Sequence, residues 1–161
     1  MRGPASQPVG AWCRSPRNND SAPDVKHLLA SVSKQFTAAA VLRLVDQRRL
    51  GLDNPLQRQL MAHTSGIPNR TEGNAFEQPK RQRMSPRDLL ATFRGLPLDF
   101  APGSAMRYRN SGYILWVVLI ETLSGESYAD HLAATLFRPL GMADTGVAHG
   151  GAVTPRLVRA T

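Results

Sequence analysis

The sequence predicts a mostly helical protein with one domain between two loose ends, and three observations carry that expectation. Apolar stretches too long for loops recur along the chain, foremost "FTAAAVLRLV" from Phe36 and "YILWVVLI" from Tyr113. The segments between them are rich in Gly, Pro, Ser and Asn, residues that start and stop helices. No alternating apolar–polar run is long enough to read as a strand. With 161 residues, 42% of them hydrophobic, the chain suits a single domain able to bury a core.

The opening, "MRGPASQPVGAWCRSPRNNDSAPD", is dominated by polar residues, Pro and Arg. Without an apolar central block it does not read as a secretory signal, so residues 1–27 are expected to be a loose N-terminal segment. Residues 31–50 read as a helix that starts near Ser31 or Ser33 and stops at Gly51, a natural left-handed cap. From Phe36 to Val45 it is apolar nearly all round, which predicts burial on every side. "GLDNPL" turns the chain, and "QRQLMAHTSGIPNR" is a short helix running into a Ser-Gly-Ile-Pro loop. Residues 69–84 are polar and irregular. "SPRDLLATF" signals a helix with Ser85 as N-cap and Pro86 at its first position. After the Gly/Pro loop "RGLPLDFAPGS", a further helix is expected from Ser111 to Leu123, stopped by Gly125. "SYADHLAATLF" places Tyr128, Leu132 and Leu136 at helical spacing and ends before Pro139. The domain is expected to occupy 28–146, with 147–161 an irregular tail.

Charge and composition exclude several functions. The net charge of +8 would suit an anionic partner, but the basic residues are scattered and no nucleic-acid reader motif accompanies them. The densest run, Lys80-Arg81-Gln82-Arg83 with Arg87 nearby, has no interleaved aromatics and reads as a solvated loop. Specific nucleic-acid binding is therefore not expected. Cys13 is the only cysteine, so an internal disulfide, a CxxC pair and a thiolate metal cage are all ruled out. His27, His63, His131 and His149 lie far apart with no H-E-x-x-H, and no G-x-x-x-x-G-K or G-x-G-x-x-G loop occurs. No metal or cofactor is implied. Tyr113 to Ile120 falls well short of the roughly 20 residues of a membrane-spanning helix.

What remains unexplained is a lysine. Only Lys26, Lys34 and Lys80 interrupt an otherwise arginine-based cation set, and Lys34 stands one helical turn after Ser31. Residues three apart share a helix face with Cβ atoms about 5–6 Å apart, so the two side chains can touch. A serine hydroxyl is a weak nucleophile until a base takes its proton; a lysine in the right surroundings can do so, and an arginine cannot. Backbone N–H groups at the same helix start would favour negative charge on an attacked carbonyl oxygen. The bland alternative is that Ser31 caps a helix and Lys34 reaches solvent. "FAPGSAMRYRNSGY" adds weight to the chemical reading, because Tyr108-Arg109-Asn110 ends a loop and opens an apolar helix, where a phenol and an amide can face a cleft.

With these motifs in order, the chain resembles the serine β-lactamases, penicillin-binding proteins and related esterases, especially the class C branch. The likeness runs from about Leu29 to Gly146, through "SVSKQFTAAAVLRLVDQRRLGLDNPL", "LMAHTSGIP", "LPLDFAPGSAMRYRNSGYILWVVLIETLSGESYADHL" and "LFRPLGMADTG". It implies the helical part of an α/β fold of the β-lactamase/transpeptidase type, with much of the sheet outside the chain. It also implies that Ser31 is the acylated nucleophile, Lys34 its proton-handling partner, Tyr108 the residue that shuttles a proton with Lys34, and Asn110 the amide that orients substrate. Arg109 stands where the family often has a small residue, at a position expected to face away from the chemistry. His63-Thr64-Ser65-Gly66 resembles a structural loop, the rival being a Ser-His-Asp triad, for which no G-x-S-x-G elbow is present.

The family's third element, K-T-G or H-x-G on a strand, has one literal match, His149-Gly150-Gly151. It follows "GMADTG" directly and reads as a polar turn, so the third element is expected to lie outside the chain. The function implied is a serine hydrolase, acting through an acyl-enzyme on a small-molecule β-lactam, peptide or ester, in a chain that covers part of the domain. The alternatives are an inactive remnant or binding module of the same family and a basic nucleic-acid binder. Without the sheet, exposed apolar surface is expected to favour self-association. Family members are often periplasmic or secreted, but the sequence itself leaves the compartment open.

Overall fold

The computed structural model describes residues 26–69, 84–148 and 157–158. The readings placed on Cys13, Lys80 and His149-Gly150-Gly151 lie outside the described residues. The chain divides into two units, Met1–Leu29 with Gly151–Thr161, and Ala30–Gly150. In the first, strand β1 (Lys26–His27) pairs in parallel with β2 (Leu157–Val158), with Lys26 opposite Leu157 and His27 opposite Val158. The expected irregular tail thus contains a strand, but one of two residues, too short to show alternation. Helices make up the second unit.

Helix α1 spans Lys34–Asp46 and is preceded by a 3₁₀ turn, Ala30–Ser33. Two expectations are corrected here. The helix begins at Lys34, with Ser31 on the tighter turn before it, and it ends well short of Gly51. Arg48 takes the left-handed conformation (φ 57°), Arg49 N–H bonds the Leu44 carbonyl at 2.9 Å and Arg48 N–H bonds that of Val45 at 2.8 Å. This paired closure is a Schellman cap. Nor is α1 buried all round: Thr37, Ala40, Val41 and Leu44 are buried at helical spacing, whereas Leu42 is 49% exposed and Arg43 faces outward.

Helix α2 (Pro55–Met61) starts at Asn54, whose side chain accepts from Leu56 N–H at 2.9 Å. Helix α3 (Pro86–Ala91) has the anticipated Ser85 cap and Pro86 start, and Asp88 completes a reciprocal capping box. Helix α4 (Ser111–Ser124) packs against α1, α2 and α3 and against α5 (Tyr128–Leu132), and no residue from Ser111 to Glu121 is exposed. Its apolar run, Tyr113 to Ile120, is buried or half-buried throughout. Gly112 lies against α2, where an added Cβ would stand 3.4 Å from the Leu60 carbonyl oxygen. Helix α5 runs directly into a π-helical turn, Ala133–Phe137, closed by Arg138 N–H on the Ala133 carbonyl.

Val41, Leu44, Leu60, Trp116, Ile120, Leu132, Leu136 and Phe137 meet in one core. Burial of each such side chain contributes about 1.5–3 kcal/mol. No helix among the described residues is long and apolar enough to cross a membrane.

Two segments expected only as loops are laced together. Asp99 N–H bonds the Gly66 carbonyl at 2.8 Å, Gly103 N–H the Thr64 carbonyl at 2.8 Å, and Arg107 N–H the His63 carbonyl at 3.0 Å. Gly66 makes this approach possible: its φ is 73°, and a Cβ there would stand 2.1 Å from the Phe100 carbonyl oxygen. Gly125 also has positive φ (78°) but open space around it. Gly125→Ala is therefore expected to cost about 1 kcal/mol, the left-handed penalty alone, and Gly66→Ala about 3 kcal/mol or more once the backbone collision is added. Urea unfolding of both variants checks this, and equal costs would mean that the Phe100 loop yields freely.

Candidate active site

The starts of two helices build the site. Ser31 lies exposed on the 3₁₀ turn, following Ala30, whose φ of 45° is a strained value for a residue with a Cβ. Lys34 opens α1 one turn later. Tyr108 and Asn110 end the 101–110 loop, Asn110 directly before α4. Packing of α1 against α4 brings the four together across more than seventy residues of sequence.

Their contacts centre on two atoms. The Ser31 hydroxyl oxygen accepts from Tyr108 OH at 2.6 Å and from Lys34 Nζ at 3.2 Å. Lys34 Nζ also donates to Asn110 Oδ1 at 2.7 Å. The ammonium lies 4.8 Å from the centre of the Tyr108 ring and 5.4 Å from that of Tyr113, within cation–π range of both. It is therefore held by a hydroxyl, an amide oxygen and two aromatic faces. Asn110 stands at the N-cap of α4, yet its side chain makes no capping bond there. Asparagine at this position ordinarily accepts from the helix N–H groups; here its oxygen goes to the lysine.

The electrostatics favour ionisation of one phenol. Burial pushes the Tyr108 hydroxyl up, but hydrogen bonds to Lys34 and Ser31 together with the lysine's charge outweigh it and hold the group below the ordinary phenol value. Tyr113 is pushed the other way, by burial and by the neighbouring Tyr108 charge, and Tyr128 is raised by burial against a counteracting bond to Thr37. Of the three tyrosines in the chain, Tyr108 is the one poised to lose its proton first.

Arg109, between Tyr108 and Asn110, has a buried side chain that pairs with Asp99 at 2.8 Å. The residue is a buried tie to the 98–104 loop rather than a surface cation. His63 does not adjoin the serine in the manner of a triad. Its Nδ1 accepts from Arg109 N–H at 3.1 Å, and its ring centre lies 4.6 Å from that of Tyr108 and 5.4 Å from that of Tyr113. Sequence reasoning missed three contributors: Tyr113 under the ammonium, Asn69, whose Oδ1 accepts from Asn110 N–H at 3.2 Å, and Asp99. The Ser-Gly-Ile-Pro loop ends at Asn69, but nothing in its spacing shows that the amide reaches a residue forty-one positions on.

The beta-lactamase family model matches residues 14–161. Penicillin-binding protein 4* of Bacillus subtilis (strain 168) is 34% identical over 136 residues, covering 74% of this chain and 30% of that protein. Protein flp of Staphylococcus aureus (strain COL) is 27% identical over 144 residues, covering 78% of this chain and 28% of that one. The chain thus spans less than a third of these relatives' length. Among solved structures, the D-amino acid amidase of Ochrobactrum anthropi SV3, in complex with L-phenylalanine amide, superposes with a TM-score of 0.72 at 26% identity, covering 84% of this chain and 42% of that one. A penicillin-binding protein from Bacillus halodurans gives 0.66 at 27% identity, with 77% and 44% covered. The match of the family model over nearly the whole chain, together with these relatives, establishes that the chain belongs to the beta-lactamase family.

Proposed function

We propose that this chain carries the acylation centre of a serine hydrolase, with Ser31 as nucleophile and the Lys34–Tyr108 pair as its base. The observation that carries the reading is the convergence of Tyr108 OH and Lys34 Nζ on the Ser31 hydroxyl, with Lys34 fixed by Asn110. The phenol and the ammonium share one hydroxyl. Ammonium with phenolate and amine with phenol hold the same number of protons, and either form accepts the serine proton. The Ser31 oxygen then adds to the substrate carbonyl, whose π electrons move onto its oxygen. Collapse breaks the bond to the leaving group, and the pair returns the proton to that group. Water repeats the sequence on the ester formed at Ser31 and releases the acid.

The substrate is a small acyl compound with a β-lactam, peptide or ester carbonyl. An amide carbonyl is common to the chemistry named for the amidase and for the penicillin-binding relatives. Asn110 is the amide assigned to orient it, because its oxygen on Lys34 Nζ holds the side chain beside the Ser31 hydroxyl.

Acylation is tested by mass spectrometry. A fluorophosphonate probe or a chromogenic cephalosporin is expected to leave a covalent adduct on the peptide containing Ser31, absent in Ser31→Ala; an adduct that persists in that variant would place the nucleophile elsewhere. Lys34→Arg keeps the charge but not the ability to lose a proton near neutrality. It is expected to slow labelling as much as Lys34→Ala, by about a hundredfold or more, whereas retained labelling would leave Tyr108 as sole base.

The pH dependence follows from the direction of the Tyr108 shift. The cation favours phenolate, so the folded chain should show one tyrosine ionising below the free-phenol value of about 10 and two above it. Phenolate absorbance is expected to lose its lowest step in Tyr108→Phe. In Lys34→Met that step should move upward. A lowest step that survives Tyr108→Phe would show that another phenol is the activated one.

A further inference from the structure

His63 belongs to none of the roles assigned so far, yet it touches the chain on both sides of Tyr108. It occupies the position after α2 where the backbone turns left-handed, with φ 59°. Thr64 N–H bonds the Gln59 carbonyl at 2.8 Å and His63 N–H the Leu60 carbonyl at 3.5 Å, the same paired closure that ends α1. Glycine or asparagine ordinarily fills this position. Here an imidazole does, and from it three contacts run to consecutive residues. The His63 carbonyl accepts from Arg107 N–H at 3.0 Å, the ring lies against the Tyr108 ring at 4.6 Å, and Nδ1 accepts from Arg109 N–H at 3.1 Å.

We propose that His63 is a positioning residue for Tyr108: its neutral imidazole, with the proton on Nε2, clamps residues 107–109 so that the phenol stays on the Ser31 hydroxyl. The tautomer follows from the geometry. An Nδ1 that accepts a backbone N–H carries no proton, and protonating it would set two hydrogens against each other. Burial and then the charge of Lys34 hold the imidazole below its usual value, in keeping with a neutral ring. The groups facing it are Lys34 from α1, Tyr108 from the loop and Tyr113 from α4. The proposal takes Ser31, Lys34 and Tyr108 as the reacting groups, but two of its three tests do not depend on reactivity.

The replacements that separate clamp from cap are His63→Asn and His63→Gly. Both suit the left-handed turn, and glycine suits it better. Asparagine alone keeps an acceptor near the place of Nδ1. In the full chain, NMR shifts of the His63 ring nitrogens are expected to report the Nε2–H tautomer near neutral pH; an Nδ1–H tautomer or an imidazolium overturns the proposal without any variant. The lowest tyrosine ionisation step, the one removed by Tyr108→Phe, should stay in place in His63→Asn. It should rise toward the ordinary phenol range in His63→Gly, because a phenol released from Lys34 and Ser31 loses what lowers it. Labelling of Ser31 is expected to stay within a few-fold of the parent in His63→Asn and to fall about tenfold to a hundredfold in His63→Gly. If the glycine variant matches the asparagine variant in the ionisation step, His63 only caps α2. A parent chain that is never labelled, but whose tyrosine step moves as described, would count against Ser31 chemistry and leave the clamp standing.

Discussion

A single ammonium group ties the two halves of the site together. Lys34 Nζ reaches Ser31 three residues behind it and Asn110 seventy-six residues ahead, so its position depends on how α1 lies against α4. That relation is fixed away from the chemistry. Val41 and Leu44 on α1 meet Trp116 and Ile120 on α4 in the core, and beyond them the Arg49 guanidinium after α1 donates to the Leu123 carbonyl near the end of α4. A helix pair pinned at its middle and far end presents its two starts at a set spacing. Close packing makes that spacing stiff, since a core with few voids does not slide by fractions of an ångström.

The 62–69 and 98–110 loops do for Tyr108 what the core does for Lys34. A side chain nearly half exposed, as Tyr108 is, has little packing to hold it, and its order has to come from its own backbone. Three backbone bonds join Gly66, Thr64 and His63 to the 99–107 segment, and the Arg109–Asp99 pair ties the residue after Tyr108 to the same segment. Arg109 is buried while Asp99 stays exposed, so the pair contributes little net stability once desolvation of the guanidinium is counted. The pair therefore acts mainly to make alternative placements of residues 108–110 expensive.

The parts of this arrangement that could be read from sequence are those with a local signature. Ser85-Pro86 announced α3, Gly125 closed α4, and the interval from Ser31 to Lys34 together with Tyr108-x-Asn110 suggested which side chains would meet. The breadth of the buried face of α1 was misread because an apolar run does not reveal how many neighbours it has: Leu42 and Val41 look equivalent in sequence, and only Val41 faces α4's layer. The end of α1 was also misjudged. Left-handed caps favour glycine, but Arg48 and His63 both adopt the conformation, since the hydrogen bonds of the closure outweigh a modest strain at either residue. The loop lacing was invisible, because backbone bonds between distant segments leave no residue pattern. Asn69 and Asp99 matter through such long-range contacts.

The helix starts show where stability was given up for placement. Asn54, Ser85 and Ser127 each turn a side-chain oxygen onto the N–H groups of the helix that follows. The starts of α1 and α4 do not. Ser33 bonds back to the Ala30 carbonyl at 2.5 Å, and Asn110 gives its oxygen to Lys34. A side-chain cap contributes about 1 kcal/mol and neither start has one, while Ala30 adds a strained left-handed backbone just before Ser31. Departures from local preference in an otherwise consistent chain tend to gather where function constrains it. Here they fall on the turn that carries Ser31 and on the residue that holds Lys34. The side-chain capping seen at the starts of α2, α3 and α5 is set aside at the two helix starts that converge on one hydroxyl.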